Sequence, residues 1–476
     1  MRVREFIISL TRNPISLSGA VIVTGSAILI ITLLAVAIFG AEGSPYLGII
    51  TYLILPIFFL AGLLLIPWGV ARERKRARRA EEAGEAAPAF PVIDLNSDRT
   101  RNWLLTFVGI TAVNIIILAT VTYKGVEYLD SVQFCGALCH VLKPEYTAYQ
   151  ISPHARVKCV ECHIGPGASW FVKAKLSGVK ELFATVFNTY PRPIPTPVHS
   201  LRPARATCEE CHWPRKFIGT SPRVIPSHRN DSPNTALYTV LMLKVGGQEG
   251  GVSRGIHWHV DPVNQIRYRS DRSRENIVEV ELDLPDGSVK RFLSEAADGQ
   301  QGSNSEEATV WRVMDCMDCH NRPTHIYYSP ERAVDLAIQR GDIPAELPFV
   351  RREAIKALQV SYPSHEEARA GIADTIYAFY RESFPQIAES HAELIEAATL
   401  TLGRIYTTNV FPSMRVTWGT YPEHIGHPDF MGGCFRCHAG KLRTESGATI
   451  SQDCNTCHLV VAWNEESPEI LKTLQP

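Results

Sequence analysis

Three long uncharged stretches dominate the first quarter of the chain: Asn13 to Ala41, Gly43 to Ala71 and Asn102 to Tyr123. Each is long enough to cross a hydrocarbon core of roughly 30 Å as a helix. The first is too long for a cleaved signal peptide, and a second apolar stretch comes almost at once, so it reads as an uncleaved anchor. Beyond Tyr123 the pattern changes. "ALYTVLMLKV", "GIHWHV", "QIRYRS" and "ENIVEVELDL" read as strands, the last three with some alternation, and "PDG" (285–287) turns the last of them into "SVKRFL". A small antiparallel sheet is therefore expected within residues 216–312, which hold no cysteine. Residues 329–408 have helical spacing. Ser329-Pro330 starts one helix and Gly341 ends it, Ser364 with Glu367 makes a capping box for a second, and "QIAESHAELIEAATLTLGRIY" supplies a third.

Basic residues orient the apolar stretches. Arg2, Arg4 and Arg12 precede the first, "ARERKRARR" (71–79) comes after the second, and Arg99 and Arg101 precede the third, whereas the connection "EGSP" has no Lys or Arg. The positive-inside rule puts the N-terminus and residues 72–101 in the cytoplasm, and the third span exports the chain beyond Tyr123. Within the basic stretch, "EEAGEAAPAFP" (81–91) reads as a mobile linker.

Charge excludes one class of partner: a net charge of −1 over 476 residues suggests no nucleic acid. The twelve cysteines carry more. They fall in six pairs: Cys135/Cys139, Cys159/Cys162, Cys208/Cys211, Cys316/Cys319, Cys434/Cys437 and Cys454/Cys457. Every second cysteine is followed by histidine: His140, His163, His212, His320, His438 and His458. Disulfides and zinc sites also pair cysteines, but neither requires a histidine after each pair, and the chain has only 16 histidines. Covalent haem c attachment requires that arrangement: two thioethers, then a histidine on the iron. Six haems c are expected. The first motif differs, with Gly136, Ala137 and Leu138 between its cysteines where the others have two residues. Residues 124–215 hold three motifs with little sequence between them, so the haems themselves would be most of any core there.

Haem irons need axial partners, which raises the standing of histidines outside the motifs. His154 ("HARVKC"), His325 ("CHNRPTH") and His427 ("HIGHPDFMGGC") are the leading candidates. His257 and His259 lie two apart on an expected strand and share a face, so at least one is a candidate ligand and the other a partner for a propionate. His424 and His199 come next; His228, His365, His391 and Met414 rank lower.

"EYLDSVQFCGALCH…EYTAYQISPHARVKCVECHIGPGASWFVKAKLSGVKELF" resembles the NapC/NirT/NrfH family of membrane-anchored multihaem quinol dehydrogenases, over roughly residues 103–215. The rest, with "GIHWHV", "CMDCHNRPTH" and "YPEHIGH…GCFRCHAG", is similar to extended inner-membrane multihaem cytochromes of metal-respiring bacteria. The resemblance implies that the first haem lies at the membrane surface and takes electrons from quinol. Relatives often ligate that haem with a methionine two residues after the motif histidine; here the position is Leu142, which cannot ligate, so His140 is the expected protein ligand and the opposite face can be open. The family also places a lysine and a carboxylate on the helix after the second haem, near the quinol; Lys173 or Lys175 and Glu181 match best, and Glu127 and Tyr128 also lie near the first motif.

The expected architecture is a multihaem cytochrome c. Residues 1–71 form a two-helix transmembrane hairpin, 72–101 a cytoplasmic basic linker and 102–123 a third transmembrane helix. Residues 124–215 form a domain with haems 1–3, 216–312 a β-rich insert, and 313–476 a C-terminal domain with helices and haems 4–6. The periplasmic part is expected to be haem-packed, mainly α and irregular. The expected function is quinol oxidation, most simply of menaquinol, at the first haem in a bacterial inner membrane, with electrons delivered to a periplasmic redox protein or reductase. An electron-transfer subunit of a larger membrane complex without its own quinol site, and a terminal reductase with an open haem, are the alternatives; two spans beyond the family's single anchor make membrane subunits plausible.

Overall fold

A computed structural model of the chain describes residues 13–38, 51, 54–82, 95–138, 140–165, 168–198, 201–213, 217–249, 252–261, 263–284, 286–294, 309–427 and 432–474. It comprises two units, Met1–His140 and Val141–Pro476.

In the first unit the apolar stretches form helices α1 (Pro14–Ile38), α2 (Leu55–Glu82) and α3 (Asp98–Leu129). All three are long and apolar enough to cross a membrane. α1 and α2 pack through glycine: a Cβ at Gly19 would sit 2.8 Å from the Gly62 carbonyl oxygen, and one at Gly62 would sit 2.8 Å from Val23. In lipid, where hydrophobic burial gives no drive for helix association, such close backbone approach supplies the packing. The Ser16 hydroxyl donates to the Ile66 carbonyl at 3.0 Å. Ile30, Leu55 and Val121 bring the three helices together. The basic run 71–79, expected in a linker, is instead the helical end of α2, which continues to Glu82; most of "EEAGEAAPAFP" lies outside the described residues.

In the second unit, residues 141–213 form short helices and one long one, α4 (Ala168–Val186). Strands β1 (Gly219–His228) and β2 (Ala236–Gly246) come next, then β3 (Ile266–Ser270), β4 (Ile277–Asp283), β5 (Val289–Ser294) and β6 (Val310–Val313). These do not make one self-contained insert. Two strands from the C-terminal motifs, β7 (Leu442–Arg443) and β8 (His458–Glu465), complete two antiparallel sheets of order β1-β2-β8 and β6-β3-β4-β5-β7. "GIHWHV" is not a strand: Ile256–Val260 is a 3₁₀ turn.

Helices α5 (Pro330–Gln339), α6 (Val350–Gln359), α7 (His365–Ser383), α8 (Pro385–Ser390) and α9 (Ala392–Asn409) form a bundle. Ser329 and Ser364 cap α5 and α7 as expected, although Ser364 and Glu367 make only half a capping box: the Ser364 hydroxyl accepts from the Glu367 amide at 3.1 Å and donates to its carboxylate. The expected third helix is two, broken at His391. Leu358, Ile372, Ile376, Tyr380, Leu402 and Tyr406 are fully buried in a core of apolar side chains, so this part needs no haem to fill it.

Bundle and first sheet are joined by a buried ion cluster. Nδ1 of His228, at the end of β1, lies 2.9 Å from Asp335 on α5, and Arg351 of α6 donates to the same carboxylate at 2.7 and 3.0 Å. Burial works against ionising Asp335, but His228 and Arg351 outweigh it and hold its carboxyl below the usual range. A depressed carboxylate contributes stability that is complete above its unfolded value of about 4 and is lost as pH falls through the folded value. Asp335→Asn leaves Arg351 buried without its counter-charge, a change that typically costs about 3–5 kcal/mol. The expected result in thermal unfolding is a lower midpoint at neutral pH and a shallower loss of stability below pH ~4; an unchanged midpoint would remove this cluster from the stability of the fold.

Candidate haem centres

Five motifs fold as single tight turns. Cys159–His163, Cys316–Cys319 and Cys454–Cys457 are helical, Cys208 ends the helix Ala204–Cys208 and leads into the turn 209–211, and Gly433–Arg436 is 3₁₀. A tight turn puts side chains three apart on one side, as two thioethers to one porphyrin need. In four motifs the turn is closed by the motif histidine's amide donating to the first cysteine's carbonyl: His212 to Cys208 at 2.7 Å, His320 to Cys316 at 2.8 Å, His438 to Cys434 at 3.0 Å, and His458 to Cys454. Asp315 and Asp453 cap two of these turns. The first motif is different. Its Cys135 lies in a π-helical turn, Phe134–Leu138, followed by the 3₁₀ turn His140–Leu142. A π turn absorbs one residue more than an α turn, which matches the additional residue between the cysteines. Cys139 and the side chain of His140 lie outside the described residues.

The remaining motif histidines are each matched by a histidine from elsewhere in the sequence. Ring centres are 6.3 Å apart for His163 and His325, 5.9 Å for His212 and His154, and 6.4 Å for His320 and His257. They are 5.8 Å apart for His438 and His259 and 6.2 Å for His458 and His427. Two imidazoles on opposite sides of one metal, each with a metal–nitrogen bond of about 2.0 Å, have ring centres roughly 6 Å apart. Nδ1 is held by a backbone carbonyl in five of the ten rings: His154 by Pro323 (3.0 Å), His325 by Glu145 (3.0 Å), His257 by Val245 (2.8 Å), His259 by Ile256 (2.9 Å) and His438 by Ser451 (2.7 Å). That bond selects the tautomer with Nε2 as lone-pair donor and fixes the ring, as in known metal–imidazole sites. Burial lowers the pKa of His163, His259, His320 and His458, and that of His325 to about 4, so the neutral, ligating form prevails.

The two histidines of the 256–260 turn face the histidines of different motifs, His257 that of the fourth and His259 that of the fifth. Trp258 between them packs in the core of the second sheet with Ile266, Tyr268 and Val280. Gly255 starts the turn at φ 79, where a Cβ would come 2.4 Å from the Lys244 carbonyl oxygen on β2; no other residue fits there. Phe217 lies against His257 with ring centres 4.3 Å apart and tilted by 30°, and Phe435 stacks on His427 at 4.4 Å.

Other candidates are engaged differently. His424 has Nε2 2.7 Å from Glu275 and Nδ1 3.2 Å from the Asp318 carbonyl oxygen, which leaves no ring nitrogen for an iron. His228 bonds Asp335, Nε2 of His365 bonds the Val410 carbonyl, and His391 bonds Ser390. Met414 is buried, and His199 lies outside the described residues. Among the described residues, no three His, Cys, Asp or Glu side chains converge as a zinc site requires. Burial pushes the thiols of Cys319 and Cys437 up to about 12, far from the thiolate that zinc binds.

Of the residues implied for quinol, Glu181 and Lys173 lie on α4, and the Glu181 carboxylate is within electrostatic reach of His163. Lys175 is on the same helix, its side chain outside the described residues. Glu127 and Tyr128 lie in the last turn of α3, where Glu127 pairs with Lys124 at 2.8 Å.

The N-terminal region of the NapC/NirT cytochrome c family matches residues 97–193. Cytochrome c-type protein ImcH of Geobacter sulfurreducens is 42% identical over 463 residues, covering 96% of this chain and 89% of ImcH. The chain belongs to the NapC/NirT cytochrome c family. Two NrfH proteins are similar over shorter stretches. Cytochrome c-type protein NrfH of Wolinella succinogenes is 30% identical over 92 residues, covering 19% of this chain and 52% of that protein. Cytochrome c nitrite reductase subunit NrfH of Nitratidesulfovibrio vulgaris is 27% identical over 129 residues, covering 25% of this chain and 76% of its own. No solved structure matches the chain. As a NapC/NirT cytochrome it is a membrane-anchored electron-transfer protein with covalently bound haem c.

The pairs set an expectation for spectra. His154→Ala, His325→Ala, His257→Ala, His259→Ala and His427→Ala should each convert one low-spin haem to high spin in electron paramagnetic resonance, while His424→Ala should convert none. Low-spin spectra throughout the first five would rule out the paired-imidazole arrangement.

Proposed function

We propose that this NapC/NirT cytochrome binds six haems c and oxidises quinol, most simply menaquinol, at the membrane end, delivering electrons to a periplasmic redox protein or reductase. The observation that carries this reading is the order of the motifs in space. Cys162 lies near Cys211, Cys208 near Cys316, Cys319 near Cys434, and Cys434 near Cys457, and the short helices at the third and fourth motifs are in contact. Motifs two to six thus adjoin one another in sequence order, from the residues just after the membrane helices to the C-terminus. Haem c at each motif supplies one-electron transfer with a potential set by its axial ligands, and two histidines keep it lower than His/Met ligation does.

Quinol gives up two protons with its two electrons, so the membrane end needs a proton acceptor. The Glu181 carboxylate is within electrostatic reach of the second motif's His163, and Lys173 lies two helical turns before it. Glu127 and Tyr128 on α3, and Lys175, are further groups for quinol to meet. The charge asymmetry of the spans supports a cytoplasmic N-terminus and basic run and a periplasmic haem unit in a bacterial inner membrane. The Nitratidesulfovibrio relative is named as a nitrite reductase subunit, which favours a reductase among the candidate acceptors.

Two measurements test this. A general base typically contributes about 10²–10⁴-fold, so Glu181→Gln should slow haem reduction by a menaquinol analogue strongly, and Lys173→Ala should also slow it, while dithionite reduction stays fast. Wild-type quinol rates in both variants would move quinol oxidation elsewhere, in favour of a separate membrane subunit. Protease added to intact spheroplasts should digest the haem unit and spare the basic run, and intact mass should show six haem additions. The reverse digestion pattern would overturn the topology, and five additions would leave the first motif empty.

A further inference from the structure

We infer that α4 lies in the plane of the bilayer interface, its apolar face sunk into lipid, as a membrane contact separate from the three spanning helices. The inference rests on the membrane anchorage of the chain and not on the site of quinol oxidation.

α4 carries an apolar stripe that the protein does not cover. Leu176, Val179, Phe183 and Val186 recur at the three- and four-residue spacing of one helix face. They are 68%, 52%, 57% and 68% exposed, with Leu182 and Phe187 beside them also exposed. Soluble surfaces rarely leave so continuous a run of large apolar side chains open to water. Haem does not account for it on the side the structure defines. The Glu181 carboxylate, which accepts from the Ser177 hydroxyl at 3.0 Å, is on the side of α4 within electrostatic reach of His163, and Val179 and Phe183, each two residues from Glu181, lie about 160° from it around the helix. The stripe therefore points away from that centre.

The occupant that fits is lipid. The chain is already tethered to a bilayer by α1–α3, and α4 begins at Ala168, a short way along the chain from the end of α3 at Leu129. A tethered surface meets the bilayer at high effective concentration. Lys173 and Lys180, both exposed, border the stripe on its polar side, where cations meet anionic headgroups and their long stems reach up from the acyl boundary. An apolar face flanked by lysines, on a helix of 19 residues, is the composition of a helix lying along a membrane surface.

The test uses the full haem-loaded protein in nanodiscs containing phosphatidylglycerol and a diazirine-bearing phospholipid, irradiated and mapped by peptide mass spectrometry. α1–α3 serve as the internal standard. The expected result is lipid label within residues 176–187 on the stripe positions as well as on the spans. Leu176→Ser with Phe183→Ser should lose the α4 label while span labelling and haem absorbance stay at wild-type values; should that variant lose haem, the wild-type map decides alone. Labelled spans with an unlabelled α4 would overturn the inference. So would an irradiation-dependent covalent dimer joined through α4, which would make the stripe an interface between copies. Absence of label from the spans as well would overturn the anchorage on which the inference rests, and the inference with it.

Discussion

The arrangement of Val141–Pro476 depends on the facing of two imidazoles from distant parts of the chain. His163 meets His325, His212 meets His154, and His438 meets His259. Among the described residues between 141 and 213 the buried apolar side chains are few: Val141, Pro144, Ala148, Tyr149 and Ala204. A segment so poor in core must be held by something else. In a c-type cytochrome, covalent attachment holds one face of the prosthetic group and the second histidine brings in the segment opposite. His325 ties the segment after the fourth motif to the helix Lys143–Gln150, where its Nδ1 bonds the Glu145 carbonyl; His154 bonds Pro323 in return. The two contacts are reciprocal, so residues 141–165 and 316–325 position each other.

The sheets serve the same arrangement. Trp258, packed among the strands, anchors a turn whose flanking histidines face two different motifs. The last motif runs directly into β8, which pairs with β2, and the strand after the fifth motif, β7, pairs with β5. Each C-terminal motif is thereby stitched to a sheet. The helical bundle stands apart from this logic. Its core is closed by apolar and tyrosine side chains alone, and it is joined to the first sheet through Asp335 rather than through any motif.

What the sequence makes legible is what is local. Cysteine spacing, uncharged spans and the Ser329 and Ser364 caps are written within a few residues of where they act, and the structure places them accordingly. Pairing is not local: nothing in "GIHWHV" indicates that its histidines look in different directions, because alternation fits a strand as well as a 3₁₀ turn, and only Gly255 at positive φ hints at the turn. β1 escapes a reading from pattern because Pro222 and Pro226 interrupt it; it is tolerated as an edge strand, paired on one side only. His424 is a reasonable ligand by position along the chain, and only the placement of Glu275, 149 residues away in sequence, shows both ring nitrogens in use.

The irregular first motif is where these two kinds of information meet. A third residue between its cysteines is visible in sequence, and the π turn Phe134–Leu138 shows how the backbone takes it up. π turns are costly relative to α turns and persist mainly where function holds them. This one comes closely after the last turn of a helix apolar enough to span a bilayer, the place where, in the proposed reading, a membrane-soluble reductant meets the chain of redox centres. On the same reading the apolar stripe of α4 turns to lipid while Glu181, on the opposite face of that helix, stays on its polar side. A helix lying in the interface would hold a proton-accepting carboxylate at the depth where a quinol headgroup resides. Proton release to Glu181 would then take place on the polar side of the interface, with no charged group carried into the hydrocarbon, where it would be costly.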